Sequence, residues 1–338
     1  MLKIAVIGLG DVSKVHLSTI RSNPDVTLVA VCDLDESLNK LVSGVKFYTN
    51  YKEMLENERL DCVHICLPHH LHYEVTKACA EKGIHIYLEK PLAHTMEEGL
   101  SIVRLEERLP DVKICVSLQN RLNDTFRVLE NEVTSGRYGK IIGIKGIVTW
   151  FRPKSYYYTK AWRGQKEYAG GGVLINQAIH TLDLIQLLGG EIESIRGKLS
   201  NLHDYNLNVE DTAVVNMYFT SGAKGLIVAT TANAIDSSIE LEVVCEQAQF
   251  TIRNEALYKY TADEGEVKLI EDEQFQGEKF YYGAGHHKLI NQFYQCILKE
   301  KSSYIHAKDA FISLRIIDAI EKSSIEDKEI ILAEKISN

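Results

Sequence analysis

The first 120 residues alternate short, nearly continuous apolar runs with segments in which apolar and polar residues recur at helical spacing. Such apolar runs are typical of parallel strands buried on both faces, and their alternation with helices predicts a doubly wound parallel sheet. The predicted strands cover residues 3–7, 27–32, 62–67, 84–88 and 113–117. The predicted helices cover residues 14–21, 51–58, 73–81 and 96–107.

The pattern changes after residue 120. A helix is predicted over 124–134 and a strand over 141–151, followed by an aromatic, glycine-rich loop and a helix over 173–188. Five strands then follow without an intervening helix, which predicts an antiparallel sheet. They cover residues 192–199, 212–219, 224–231, 238–245 and 249–253, before helices at 288–298 and 307–322. We therefore expect an α/β protein with a parallel-sheet domain in residues 1–120. An α+β domain with an open, predominantly antiparallel sheet is expected in residues 121–338.

Composition and charge agree with two globular domains and exclude some partners. The 338 residues are 45% hydrophobic and 25% charged, the usual mixture for a folded chain. The net charge of −9 argues against nucleic-acid binding, which needs a basic surface. Seven scattered cysteines without a C-x-x-C pair predict buried thiols in a reducing compartment. No signal-peptide pattern and no apolar run near the roughly 20 residues that span a bilayer occur, so we expect a cytoplasmic protein without membrane contact.

A glycine-rich turn joins the first predicted strand to the first predicted helix. Gly8 and Gly10 supply two glycines of a G-x-G-x-x-G fingerprint, with Ser13 in the third place. Glycine permits the tight turn and lets backbone N–H groups approach a pyrophosphate at a helix N-terminus. The turn predicts a Rossmann dinucleotide-binding domain in which Gly8, Gly10, Asp11 and Val12 lie at the cofactor, with the Asp11 carboxylate pointing to solvent.

An acidic residue ends the second predicted strand. Asp33 lies 23 residues past Gly10, and a carboxylate near this spacing accepts hydrogen bonds from the adenosine ribose. Its charge would repel a 2′-phosphate, which favours NAD over NADP as the cofactor. An interpretation of Asp33 as a helix N-cap without a ligand stays open, and the two roles are compatible.

Polar residues also follow the strands predicted at 62–67 and 84–88, at the edge where open α/β sheets bind ligands. His69, His70 and His72 follow the first of these strands. No carboxylate or cysteine cluster completes a metal site, so no metal is expected and one or two of the histidines are predicted to line the cofactor cleft. Glu89 and Lys90 follow the second strand. Lys90 either stands beside a substrate hydroxyl or forms a surface ion pair with Glu89, and spacing alone leaves both interpretations open.

A combination of motifs resembles one oxidoreductase family. Gly8-Leu9-Gly10, Asp33, Glu89-Lys90-Pro91 and the stretch GGGVLINQAIHTLD at 170–183 occur in this order. The combination resembles the glucose–fructose oxidoreductase and inositol dehydrogenase family, Gfo/Idh/MocA, over nearly the whole chain. The resemblance implies an N-terminal domain that binds a nicotinamide dinucleotide. It also implies a C-terminal sheet whose outer face makes a homodimer or homotetramer.

The same resemblance implies roles for individual residues. Lys90 would be the active-site lysine, and Glu89 would contact the nicotinamide-side ribose. His69 stands where the family usually has asparagine. The implied cofactor contacts also include Leu67, Pro68, His69, His72, Gln119, Trp162 and Arg163. Substrate contacts are expected from Lys90, Arg121, Tyr156, Tyr157, Asn176 and His180. Gly285-His286 and Phe293-Tyr294 match the start of the family's late helix.

The helix predicted at 173–188 carries the remaining catalytic candidates. Asn176 and His180 are four residues apart and share a helix face, and Asp183 follows three residues later. The inositol dehydrogenases of the family have aspartate at the position of Asn176, so His180 is expected to act without a carboxylate partner. In this segment the chain more closely resembles the family's nucleotide-sugar 3-dehydrogenases. An interpretation of His180 as a buried helix histidine bonded to Asp183 stays open.

These assignments predict reversible hydride transfer between NAD and a secondary hydroxyl of a sugar, sugar derivative, nucleotide sugar or cyclitol. His180 is the predicted general base because the ordinary pKa of histidine lies near neutral pH. Lys90 is expected to steady the developing alkoxide, and Asn176 to orient the substrate. Two other functions stay open. One is a non-catalytic NAD-binding sensor or regulator on the same fold, and the other is different chemistry, such as an NAD-dependent glycosidase or a reductase of a non-sugar substrate.

Overall fold

The computed structural model describes residues 1–273 and 284–332, which form two compact units. The first unit contains residues 1–119 and 285–311. The second contains the described residues of 120–284 and 312–332. The first continuous stretch thus ends at residue 119, beside the boundary expected at residue 120. Residues 285–311, which were expected in the second domain, group with the first unit.

The first unit is built on a six-stranded parallel sheet. Its strands are β1 (Leu2–Ile7), β2 (Val26–Cys32), β3 (Lys46–Tyr48), β4 (Cys62–Ile65), β5 (His85–Leu88) and β6 (Ile114–Val116). They lie in the order β3-β2-β1-β4-β5-β6. All residues of β4 and β6 are buried, as expected for strands covered on both faces. The predicted doubly wound parallel sheet is confirmed, and its order reverses between β1 and β4, where such sheets bind ligands.

The second unit is built on a nine-stranded sheet. Its strands are β7 (Ile141–Thr149), β8 (Ile192–Ser200), β9 (Thr212–Phe219), β10 (Lys224–Thr230), β11 (Glu240–Cys245), β12 (Gln249–Arg253), β13 (Ala256–Thr261), β14 (Gly265–Glu271) and β15 (Ile330–Ile331). They lie in the order β14-β13-β12-β11-β7-β10-β9-β8-β15. Only β7 and β10 pair in parallel among these strands. The predicted, predominantly antiparallel sheet is therefore confirmed.

Ten α-helices connect or cover the strands in the described part of the chain. They are α1 (Ser13–Ser22), α2 (Tyr51–Asn57), α3 (His72–Ala80), α4 (Met96–Arg108), α5 (Asp124–Thr134), α6 (Lys154–Tyr158), α7 (Lys166–Ala169), α8 (Ile179–Gly189), α9 (Gly285–Leu298) and α10 (Ala307–Glu326). In the second unit, α5, α8 and α10 pack on the sheet. Gly146 of β7 permits close contact with α8, because an added Cβ would lie 2.5 Å from the Thr181 side chain. Along β9 and β10, buried residues alternate with more exposed ones, which leaves the other face of the sheet open.

Helix α9 belongs to the first unit because its polar side chains bind α1. The Thr19 hydroxyl lies 2.6 Å from Nδ1 of His287. One turn further along, the Asn23 amide donates to the Asn291 carbonyl oxygen at 2.7 Å. A pairing between helices more than 260 residues apart in the chain leaves no local trace in the sequence.

The structure also contains elements that the pattern of apolar residues does not predict. Strands β13 and β14 were missed because β14 is exposed along most of its length and has no apolar run. The helix predicted at 173–188 begins with a π-helical turn, Leu174–Ala178, which leads into α8. Within the described residues, none of the helices has the length and apolar character needed to cross a membrane.

Candidate active site

The turn between β1 and α1 has the shape that the glycine fingerprint predicts. Gly8 has a φ of +90°, and a Cβ atom there would lie 2.4 Å from the carbonyl oxygen of Cys66. Only glycine fits this combination of backbone conformation and close approach. Gly10 and Val12 are half-buried, whereas Asp11 is exposed, as predicted. At Gly8 and Gly10 the turn therefore presents backbone atoms, with no side chain, at the switch point of the sheet.

The Asp33 carboxylate lies at this turn. One of its oxygens accepts a hydrogen bond from the Leu9 N–H at 2.7 Å, and the other accepts one from the Asp35 N–H at 3.0 Å. The N-cap of the following 3₁₀ turn is Asp35, whose side chain accepts from the Ser37 N–H. The alternative role of Asp33 as an N-cap is therefore not realised. A carboxylate after β2, beside the glycine turn, fits a dinucleotide with its adenosine ribose on this side.

The loop after β4 is held in place by His72. Its Nδ1 lies 2.7 Å from the Pro91 carbonyl oxygen, and its Nε2 lies 3.0 Å from that of Leu67. His72 is fully buried, and burial lowers its pKa. The ring nitrogens thus face backbone carbonyls, and the cofactor contact predicted for His72 stays a prediction. His69 is buried against the His72 ring, whereas Leu67 and Pro68 are half-buried.

Glu89 and Lys90 follow β5 in different environments. Glu89 is buried, and its Oε1 accepts hydrogen bonds from His16 Nε2 at 2.9 Å and from His286 Nε2 at 3.1 Å. Glu89 is therefore not part of a surface ion pair. Lys90 is half-buried and precedes a cis peptide bond to Pro91.

In the second unit, the stretch from the glycine run into α8 exposes two polar residues. Between residues 171 and 185, Asn176 and His180 are half-buried and every other residue is buried. This agrees with the helix face that they were expected to share. Asn176 lies in the π-helical turn, a feature found frequently at functional sites.

The start of this stretch is fixed by Glu210, which the sequence analysis missed. The Glu210 carboxylate accepts from the Gly172 N–H at 2.7 Å and from the Leu174 N–H at 3.1 Å. A Cβ atom on Gly172 would lie 1.7 Å from the Glu210 carbonyl oxygen, so this position requires glycine. Burial raises the pKa of Glu210. The Asn176 amide in turn donates to the Gly172 carbonyl oxygen at 3.1 Å, which orients it.

The aromatic loop before the glycine run contacts the same stretch. The Tyr156 hydroxyl accepts from the Gln177 side chain at 3.2 Å. The Arg163 guanidinium lies 4.1 Å from the centroid of the Tyr156 ring and 5.7 Å from that of Trp162. Tyr156, Trp162 and Arg163 are thus brought together beside the residue that follows Asn176.

Two predicted substrate residues are engaged inside the second unit. Arg121 forms a two-pronged ion pair with Asp183, with nitrogen–oxygen distances of 2.8 and 2.6 Å. The Tyr157 hydroxyl lies 2.9 Å from the Thr231 hydroxyl, and burial raises the pKa of Tyr157 to about 12. Arg121 and Tyr157 thus have partners within the protein, which differ from the substrate contacts predicted for them. Such partners are expected, because a buried carboxylate and a buried hydroxyl must be hydrogen-bonded. Gln119, predicted at the cofactor, is buried at the end of the first unit's first stretch.

A buried cluster around Glu89 was also missed. Nδ1 of His16 lies 2.7 Å from Nδ1 of His64, and Nε2 of His64 lies 2.8 Å from the Tyr294 hydroxyl. His286 and Tyr294 match the family's late helix, but that match does not reveal their place in the cluster. No spacing rule connects these residues, because four separate segments of the first unit contribute them.

Comparisons with known proteins identify the family. The model described as an oxidoreductase family with an NAD-binding Rossmann fold matches residues 2–116. The model of the GFO/IDH/MocA C-terminal domain matches residues 126–251. Both matches agree with the motifs that carried the resemblance.

Individual relatives extend this similarity to nearly the whole chain. The scyllo-inositol 2-dehydrogenase (NAD(+)) of Bacillus subtilis is 26% identical over 329 residues, which are 93% of this chain and 92% of the relative. The myo-inositol 2-dehydrogenase of Thermotoga maritima is 27% identical over 234 residues, 67% of each chain. The structure of the WlbA dehydrogenase from Bordetella pertussis in complex with NADH and UDP-GlcNAcA has a TM-score of 0.85 at 25% identity and covers 99% of both chains. The chain therefore belongs to the Gfo/Idh/MocA family of NAD-binding oxidoreductases.

Proposed function

We propose that the protein is an NAD-dependent dehydrogenase that acts on a secondary hydroxyl of a sugar, sugar derivative, nucleotide sugar or cyclitol. The observation that carries this proposal is the pair Asn176 and His180, the two accessible side chains on an otherwise buried stretch. Family membership supports the redox class. The named inositol dehydrogenases and the UDP-GlcNAcA complex of a relative support a polyhydroxylated substrate.

The first unit would hold the cofactor. Backbone at Gly8 and Gly10 would accommodate the pyrophosphate, and the Asp33 carboxylate would accept from the ribose hydroxyls. NAD supplies the hydride acceptor when it is bound. The chain's own task is then to orient the substrate and to take up its hydroxyl proton.

His180 is proposed as the group that takes this proton. The amide of Asn176, oriented by its hydrogen bond to Gly172, would orient the substrate as a neutral partner. Lys90 is proposed to donate a hydrogen bond to the substrate and so to stabilise the developing negative charge. Because Asn176 carries no charge, the proton taken up by His180 would not be shared with a carboxylate at position 176.

The test begins with NADH formation, followed by absorbance, across a panel of sugars, cyclitols and nucleotide sugars. On a substrate that turns over, Lys90→Ala and His180→Ala should each lower kcat by about 10²–10⁴-fold with NAD affinity nearly unchanged. The controls are His203→Ala, at another half-buried histidine of the second unit, and Lys82→Ala, at an exposed lysine of the first unit. Full turnover by His180→Ala would show that another residue is the base.

We also propose that copies of the chain associate through the open face of the second unit's sheet and that the protein acts in the cytoplasm. The sheet carries exposed Val214 and Tyr218 on β9, where α5, α8 and α10 do not cover it.

All seven cysteines are buried free thiols, which fits a reducing compartment.

A further inference from the structure

The buried cluster around Glu89 has a single consistent arrangement of protons. A carboxylate oxygen only accepts, so Nε2 of both His16 and His286 donates to Glu89 Oε1. Burial lowers the pKa of His16, which favours a neutral ring with no proton on Nδ1. The His64 Nδ1–H must then donate to His16 across their 2.7 Å contact. This leaves His64 Nε2 as an acceptor for the Tyr294 hydroxyl.

In this series of hydrogen bonds, every N–H or O–H group therefore donates in the direction of Glu89. Burial holds the pKa of His64 well below its ordinary value, which agrees with a neutral ring. Burial opposes ionisation of Glu89, but His286 and the two histidine hydrogen bonds outweigh it and hold the Glu89 pKa well below its usual range. The members come from α1, β4, the residue after β5 and α9, which carries both His286 and Tyr294, so the arrangement depends on the fold of the first unit.

The position of Glu89 in the sheet indicates which half of a bound dinucleotide lies on the same side as its charge. In doubly wound sheets one mononucleotide half binds on each side of the switch point. Asp33 follows β2 in the half formed by β1–β3, which assigns the adenosine end to that side. Glu89 follows β5 in the half formed by β4–β6, which is the nicotinamide side.

We propose that His16, His64, His286 and Tyr294 are positioning residues that hold the Glu89 carboxylate fixed and unprotonated at the nicotinamide half of the site. This negative charge favours NAD⁺, whose nicotinamide ring is cationic, over NADH, whose ring is neutral. The inference rests on the proposed NAD-dependent function and deepens it. It assigns the hydrogen-bond chain a role in setting the balance between oxidised and reduced cofactor.

The first experiment measures the proton arrangement directly. ¹⁵N NMR of histidine rings in the full-length protein at pH 7 should show His16 protonated at Nε2 and His64 protonated at Nδ1. Tyr294→Phe removes the last donor, so it should allow the other tautomers to appear while the protein stays folded. The opposite tautomers in the native protein would overturn the proposal. So would one equivalent of a bound divalent metal by elemental analysis, because His16, Glu89 and His286 place ligand-type atoms within 4.8 Å of one another.

The second experiment measures the dissociation constants of NAD⁺ and NADH by calorimetry. Glu89→Gln keeps the side-chain shape and removes a unit negative charge, so it should shift their ratio by about tenfold toward NADH, the order expected for a charge that acts through a protein interior. Tyr294→Phe should shift it less, in the same direction. Glu106→Gln is the matched control: Glu106 also accepts from a histidine and a tyrosine in the first unit, and the ratio should not change.

The outcomes separate this inference from the proposed function. If the native protein binds both cofactor forms and turns over but Glu89→Gln leaves the ratio unchanged, the inference is wrong and the function stands. If the native protein binds neither form, the proposed function itself is wrong.

Discussion

At the scale of single residues, two carboxylates that the sequence analysis placed at the cofactor have different surroundings. Asp33 accepts hydrogen bonds from two backbone N–H groups, one of which belongs to the glycine turn. Glu89 is buried and accepts hydrogen bonds from two histidines. The first can therefore discriminate between cofactors by direct contact, whereas the second acts through its charge.

The Asp33 carboxylate should make the protein prefer NAD to NADP. Its charge repels a 2′-phosphate, so Asp33→Ser should weaken NAD binding and strengthen NADP binding, measured by calorimetric titration of both cofactors. Asp35→Ser is the control, because Asp35 caps the following turn and should leave the preference unchanged. Equal affinities in the native protein would mean that Asp33 does not contact the ribose.

Single residues also show where local sequence stops being informative. Gly8 was predicted correctly because a turn after a strand fixes its role within a few residues. The ion pair of Arg121 with Asp183, 62 positions away, cannot be inferred from spacing. The same holds for the two backbone carbonyls that the nitrogens of His72 face.

The Arg121–Asp183 pair should be a large contributor to stability. Asp183 is 2% exposed, and Arg121→Ala would leave its carboxylate buried without this partner, at a cost of about 3–5 kcal/mol in urea unfolding. Arg196→Ala, which breaks an exposed pair with Asp327, is the control and should cost about 0–1 kcal/mol. If Arg121→Ala abolished turnover but left the free energy of unfolding unchanged, Arg121 would be a substrate-binding residue.

At the scale of elements, the π-helical turn before α8 depends on one carboxylate. Glu210→Gln replaces an oxygen that accepts a backbone N–H with a group that donates, so the turn should shift and displace Asn176. We expect kcat to fall by about 10- to 100-fold, with NAD affinity unchanged because the glycine turn is in the first unit. Glu167→Gln, at the exposed contact with Asn208, is the control. An unchanged kcat would show that the turn holds without Glu210.

Apolar runs and helical spacing were sufficient for most elements. Helix α5 and strands β9 and β12 have the predicted bounds, since apolar and polar residues mark both ends. Strand β14 was missed because it is exposed along most of its length and is defined by its pairing with β13, not by buried apolar side chains. The π-helical turn was also missed, because it depends on Glu210, which lies more than 30 residues later in the chain.

At the scale of the whole molecule, buried histidines should make stability depend on pH. Burial lowers the pKa of His16, His64 and His72 below their ordinary 6.5. Below pH 6.5 the unfolded chain therefore binds protons that the folded chain does not, so stability falls as the pH is lowered. Each such histidine contributes about 1.4 kcal/mol per pH unit in this range.

Urea unfolding between pH 7 and pH 5 measures this dependence. His64→Gln should reduce the slope of the unfolding free energy against pH by the contribution of one histidine, roughly 1.4 kcal/mol per pH unit. At pH 8 the slopes of the variant and the native protein should coincide, which is the internal control. A constant stability from pH 7 to pH 5 would contradict neutral, buried histidines.

The open face of the second unit's sheet should be an interface between copies of the chain. Val214 pairs with Val228 on β10, which pairs with Ile147 on β7, so these residues form an apolar row across three central strands. Val214 is 44% exposed, and a row of this kind is typical of a surface that a second molecule covers. Val214→Asp should therefore lower the mass measured by light scattering at micromolar concentration to that of a single chain. Val267→Asp is the matched control, since Val267 is 41% exposed on β14, away from this row. A single-chain mass for the native protein would rule out this interface, and equal dissociation by both variants would place it elsewhere on the sheet.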